Sequence, residues 1–202
     1  MQIKKVLLFF LILISIAKYT KTEELEKEIW EKTNLFKIES FYGLSNFEKE
    51  KRTAIHEAGH LVIAKQLGSI VTQICIRTNN SGYIKHIKNL SLKNNRIIIS
   101  LAGYLSEIIF FGKSNSGSLH DINKVIKKII KLKRLKNNDI PNIKKALQNY
   151  INQAEIIILQ NLDLIETFAE TIIKQEPNEA GEKILYEKEI NQIYNSLTQA
   201  SR

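Results

Sequence analysis

The stretch TAIHEAGHLVIAKQ, Thr53–Gln66, contains two of the chain's four histidines, His56 and His60, with Glu57 next to the first. On a helix, residues i and i+4 share a face, so both imidazoles can grip one ion. Glu57 lies one residue on from the first ligand, where its carboxylate can reach a metal-bound water instead of the metal. This is the H-E-x-x-H arrangement, two zinc ligands and a general base. Zinc lowers the pKa of its water and polarises a carbonyl, while the glutamate takes the water's proton and passes it to a leaving amine. The small pair Ala58-Gly59 permits close packing beside the ion. The competing reading is a chance match on an ordinary helix.

A catalytic zinc takes three protein ligands and keeps one position open. The remaining candidates are His86, His120, Glu107, Asp121, Asp139 and Asp163. His86 falls in a hairpin and reads as a surface residue. Asp139 and Asp163 read as a loop residue and an outer helix face. Glu107 is the only acid in an otherwise apolar helix, so it must bind metal, support a ligand or form a buried ion pair. Asp121 opens a helix after a Gly/Ser loop, where the helix N-terminus favours an ionised carboxylate. An ordinary N-terminal helix acid fits that position equally well.

These residues need elements to hold them. Ala54, Ala58, Leu61 and Val62 fall at helical spacing, which predicts a helix from about Phe47 to Leu67 stopped at Gly68. SIVTQICIR, Ser69–Arg77, alternates with Ile70, Ile74 and Ile76 on one face, and the turn signal Asn79–Gly82 returns YIKHIK as a second strand. Ile70–Arg77 is also a candidate edge for pairing with an extended polypeptide, or a purely structural strand. Ile97, Leu101, Leu105, Ile108 and Ile109 form a helical stripe ending before Gly112. Lys113–Leu119 is a loop, and a helix from about Asp121 turns Ile122, Val125, Ile126 and Ile129 inward. After Pro141 one long stripe runs from Leu147 to Ala169. Pro177 and Gly181 break it before a last helix with Ile190, Ile193 and Leu197. The fold class is mainly α, with one small β-hairpin.

The chain has 202 residues, enough for one domain with a proper core, and a net charge of +9. Lysine is spread along most of the chain, which favours solvated faces over a dedicated anionic partner. KKIIKLKRLK, Lys127–Lys136, has no interleaved aromatics, so nucleic acid is not an expected partner. One cysteine, Cys75, excludes an intramolecular disulfide and a Cys-rich zinc site; it reads as a small buried apolar residue. At the N-terminus Lys4 and Lys5 precede VLLFFLILISIA, Val6–Ala17, an apolar run of 12 residues. At about 1.5 Å per residue it is short for a bilayer core of about 30 Å. Residues 1–17 therefore read as a signal peptide or a short membrane anchor, giving a membrane-associated or exported protein. Residues 18–46 read as a polar stalk with a short amphipathic helix, and 47–202 as the folded domain.

Three ordered blocks carry a resemblance. IHEAGHLVIA, Ile55–Ala64, closely resembles the active-site helix of the FtsH-type membrane-anchored AAA zinc proteases. SLAGYLSEIIFFG, Ser100–Gly112, is similar to that family's L-A-G-R-x-A-E-E-x-x-F-G helix. SGSLHDINKV, Ser116–Val125, is similar to its T-G-A-S-N-D-L segment, whose aspartate is the third zinc ligand. A weaker likeness follows in Ala154–Glu176. The resemblance covers about Phe47 to Ile193. It implies a helical zinc-peptidase domain, with zinc held by His56, His60 and Asp121 and with Glu57 as the base. A supporting role for Glu107 at the zinc site is consistent with it. The departures are Tyr104 for the family's arginine, Ile108 for the second glutamate of its E-E pair, and His120 for its asparagine.

No phosphate loop is present in this sequence. Gly112-Lys113-Ser114 supplies only the end of G-x-x-x-x-G-K-[ST], with Glu107 where the first glycine belongs. The expected function is a zinc-dependent metalloendopeptidase acting on unfolded or flexible polypeptides without an ATPase module of its own. The alternative is a non-catalytic binding module or accessory subunit of a separate AAA protease. The implied partners are the polypeptide substrate, further copies in a homo-oligomer or an AAA ATPase subunit, and a membrane through an uncleaved N-terminus.

Overall fold

The computed structural model describes residues 38–39, 43–87, 95–115, 117–136 and 139–200. The signal peptide or anchor at 1–17 and most of the stalk at 18–46 lie outside the described residues. Among the described residues no helix is long and apolar enough to cross a membrane.

The fold is organised around helix α1, Asn46–Gln66. Ser45 and Glu48 open it with a reciprocal capping box: the Ser45 hydroxyl accepts from Glu48 N at 3.2 Å, and Glu48 Oε2 accepts from Ser45 N at 2.8 Å. Such a cap contributes about 1 kcal/mol. At the other end Gly68 takes the left-handed backbone, φ +78°, and ends the helix. Every residue from Arg52 to Ala64 is buried. A helix covered on all sides must satisfy each polar side chain internally. Arg52 does so through the Lys113 carbonyl at 3.1 Å, with its guanidinium stacked over Phe111. Thr53 donates back to Lys49 O at 3.0 Å. His56, Glu57 and His60 are the remainder.

Helix α2, Asn95–Phe111, and helix α5, Leu162–Ile173, pack most closely on α1. Around α2 lie α3, Ser118–Lys133, and α4, Ile140–Leu159. The last helix, α6, spans Glu187–Ala200. One continuous core joins Leu61, Ile97, Leu101, Ile122, Ile126, Leu147 and Phe168, all fully buried. Each such side chain contributes about 1.5–3 kcal/mol on leaving water.

The mainly α class is as expected, but the sheet is larger than a hairpin. Strand β2, Ile70–Arg77, lies between β3, Gly82–Ile87, and β5, Glu182–Tyr186, antiparallel to both. So Ile70–Arg77 is the centre of the sheet, not an edge, and β3 and β5 are its outer strands. A register shift between Val71 and Gln73 also breaks the alternation. Ile70 is exposed while Val71, Ile74 and Ile76 are buried, because a bulge turns the residues on either side to opposite faces. Cys75 is buried in β2. The single stripe expected after Pro141 is two helices, broken at Gln160-Asn161 without proline or glycine. Asn161 bonds its own chain at Ile157 O, 2.7 Å, and accepts from Gln66 Nε2 at 2.7 Å. A two-residue parallel pair, β1 (Ile38–Glu39) with β4 (Ser114–Asn115), ties the chain's entry to the loop before α3.

Gly59 lets α1 and α2 approach this closely. A Cβ there would collide with Ser106 Oγ and stand 2.9 Å from Ala102 O. Gly59→Ala is therefore expected to lower stability by about 1–3 kcal/mol, read as a lower urea midpoint at unchanged slope.

Candidate metal centre

His56 and His60 leave the same face of α1, one turn apart, and Asp121 meets them from the first turn of α3. His56 Nε2 is 3.1 Å from His60 Nε2, and Asp121 Oδ2 is 3.2 Å from the former and 3.3 Å from the latter. Three donors bound tetrahedrally to one ion at about 2.0 Å lie about 3.3 Å from each other. The triangle therefore fits a single metal ion, and two imidazoles with one carboxylate suit zinc-like chemistry. Its fourth face opens on a cleft of about 550 Å³.

The free ring nitrogens are already committed. His60 Nδ1 donates to Ile99 O at 2.6 Å, and His56 Nδ1 donates to Glu107 Oε1 at 2.6 Å. Each bond fixes the tautomer that leaves Nε2 for an ion. Glu107 is fully buried and also accepts from Ser118 Oγ at 3.0 Å, which in turn accepts from Ser114 Oγ at 2.7 Å. Its place in an apolar helix is thus explained: it supports His56 and is not itself in the triangle. Gly103 makes the His56 position available, since a Cβ there would fall on the imidazole ring.

Glu57 borders the same cleft, beside the triangle rather than in it. Among the described residues none hydrogen-bonds its carboxylate. Gly82 on β3 clears room for it; a Cβ there would lie 2.5 Å from Glu57 Cγ. Burial pushes the Glu57 carboxyl above its ordinary range, against the pull of His56 and His60. That suits a group which must accept a proton. Asp121 moves the other way: burial opposes its charge, but hydrogen bonds from both histidines hold it well below the carboxylate range. On His56, burial works against the charge, yet hydrogen bonds to Asp121 and Glu107 outweigh it and raise the pKa to about 10.

The structure thus brings together His56, His60 and Asp121, with Glu57 and Glu107 against them. It does not bring in Asp139, which precedes α4 and binds Asn142, or Asp163, exposed at the start of α5. His86 departs from the surface reading: it is half-buried on β3 and lines the cleft. His120, next to Asp121, is exposed at the cleft. Residues not singled out in the sequence are Ser118, Ser114, Gly103 and the Ile99 carbonyl. A glycine inside a helix was the available signal for Gly103; a carbonyl acceptor has none.

Neither protein-family models nor curated proteins match the chain.

Two outcomes follow from this centre. Glu107→Gln keeps the shape but gives up the charge behind His56, and is expected to weaken metal binding about 10- to 100-fold in a competition titration. Because the metal-free His56 ring holds its proton up to about 10, an incoming ion must displace that proton. Calorimetry at pH 8 in two buffers of different ionisation enthalpy should show close to one proton released per ion. A histidine of ordinary pKa would release almost none there.

Proposed function

We propose that this chain is a zinc-dependent metalloendopeptidase of FtsH-like type, with His56, His60 and Asp121 as the zinc ligands and Glu57 as the general base. One observation carries the reading: three ligand atoms 3.1–3.3 Å apart open on a cleft that also holds an uncommitted buried carboxylate. Zinc, when bound, supplies a Lewis acid for the scissile carbonyl and a water of lowered pKa. The chain's own residues do the rest. Glu57 accepts the attacking water's proton at its carboxylate and delivers it to the departing amine nitrogen. Its raised proton affinity makes it a stronger base than a free carboxylate. Glu107 and the Ile99 carbonyl hold the two rings so that no reorganisation is needed during the reaction.

The cleft runs between β3 and the α2–α3 side, and it suits an extended chain better than a folded one. A cleft of about 550 Å³ admits a short stretch of chain, which supports unfolded or flexible polypeptides as substrates. The apolar run Val6–Ala17 supports membrane association or export. The alternative of a non-catalytic module serving a separate AAA protease needs none of the room kept in front of Glu57.

The test uses protein lacking residues 1–17, loaded with one equivalent of zinc, and casein as substrate. Cleavage without ATP, abolished by a chelator and restored by zinc, is the expected result. Glu57→Gln should lower turnover by at least about a thousandfold while zinc content stays at one per chain. Unchanged turnover in Glu57→Gln would remove Glu57 from the mechanism; zinc bound with no cleavage by the parent protein would favour the binding-module alternative.

A further inference from the structure

All four of the chain's histidines border one cleft, although only two belong to the metal triangle. His86 faces it from β3 and His120 from α3. One turn beyond His120, Lys124 joins the same rim, its Nζ 3.3 Å from Asp121 Oδ1 and about half exposed. Among the described residues the only acids lining the cleft are Glu57 and Asp121. Both are assigned to the chemistry, and their two negative charges offset those of a divalent ion. The remaining cationic side chain at the rim is Lys124, paired with Asp121, and the His86 and His120 imidazoles border the cleft on either side of it.

From this arrangement we infer that the cleft selects polypeptide segments carrying aspartate or glutamate beside the scissile bond, through Lys124 and His120 on one wall and His86 on the other. The inference rests on the peptidase reading and goes beyond it by naming the substrate class. The overall +9 charge alone would attract any anion from a distance. The bias of the lining places that attraction at the reacting centre, where it discriminates between neighbouring residues of a substrate. Outside the metal centre the one charged side chain that a lysine-bearing segment would meet in the lining is Lys124, among neutral groups such as Asn80, Ser81 and Ser100, and like charges are disfavoured. Partly exposed charges give modest discrimination, so the expected preference is about two- to fivefold per acidic residue.

The experiment compares quenched-fluorescent peptides that differ at one position beside the cleaved bond: Asp, Asn or Lys. Cleavage by the zinc-loaded protein is read as kcat/KM, and binding is read separately by fluorescence anisotropy with the zinc-loaded Glu57→Gln protein. Expected are a kcat/KM order of Asp over Asn over Lys, expressed mainly in KM, and the same order in binding. The Asp/Asn ratio should fall toward one in 0.5 M salt and in the His120→Gln/Lys124→Gln double variant. An Asp/Asn ratio at or below one overturns the inference, as does a ratio that the double variant leaves unchanged. Because turnover and binding are read apart, the two claims separate. Cleavage without an acidic preference leaves the peptidase standing and sinks the selectivity. An acidic preference in binding without any cleavage supports the selectivity and sinks the peptidase.

Discussion

Glu107 carries a carboxylate into a helix that is otherwise apolar, and no water-exposed surface is within its reach. A group of that kind is tolerated only with charged or hydrogen-bonding partners at close range. The partner here is His56, 2.6 Å away on the neighbouring helix. Keeping that contact sets the distance between α1 and α2, and that distance is what Gly59 and Gly103 permit. It turns the His56 ring so that Nε2 faces Asp121. The first turn of α3 is then pinned through Ser118, which bonds the same Glu107 oxygen. Three helices are registered on one buried acid.

The polarity of α1 follows the same logic. From Arg52 to Ala64 the helix has no solvent face, yet five of those residues are polar. Replacing them with apolar residues of similar size would cost the fold little and could even stabilise it. Their presence in the core is a departure from what packing alone would select, and such departures gather where a protein does chemistry. The opposite pKa displacements of Glu57 and Asp121, two carboxylates in one cleft, have the same origin. One lacks hydrogen-bond donors and the other receives three, from His56, His60 and Lys124, so the environment moves their proton affinities apart.

Much of this was legible in the sequence because the signals were local. The i, i+4 histidines, the Gly68 stop and the stripe of α2 each follow from periodicity within a few residues. Glu107 stood out as an acid in an apolar stripe, and Asp121 as an acid at a helix start. What stayed hidden depended on partners far along the chain. β5 is five residues after a loop and gains its identity only by pairing with β2, more than a hundred positions earlier. The bulge in β2 reverses Ile70 without any glycine or proline to mark it. The break at Gln160-Asn161 is made by an asparagine side chain bonding its own backbone, which an amphipathic stripe does not reveal. The second bond of His60 goes to a main-chain oxygen, invisible in residue types.

The pairing of β1 with β4 sets the chain at Ile38–Glu39 against the loop that leads into α3. Ile38 and Glu39 lie beside Ser114 and Asn115, and the Ser114 hydroxyl leads through Ser118 to Glu107. Tension on the chain ahead of Ile38 would be felt first at this joint. Two residues of pairing offer few hydrogen bonds, so the joint would peel open well before the helical core yields. Ile38 and Glu39 thus lie a few hydrogen bonds from the buried acid that holds the His56 ring, so opening the joint would first loosen the Ser114–Ser118 support of Glu107.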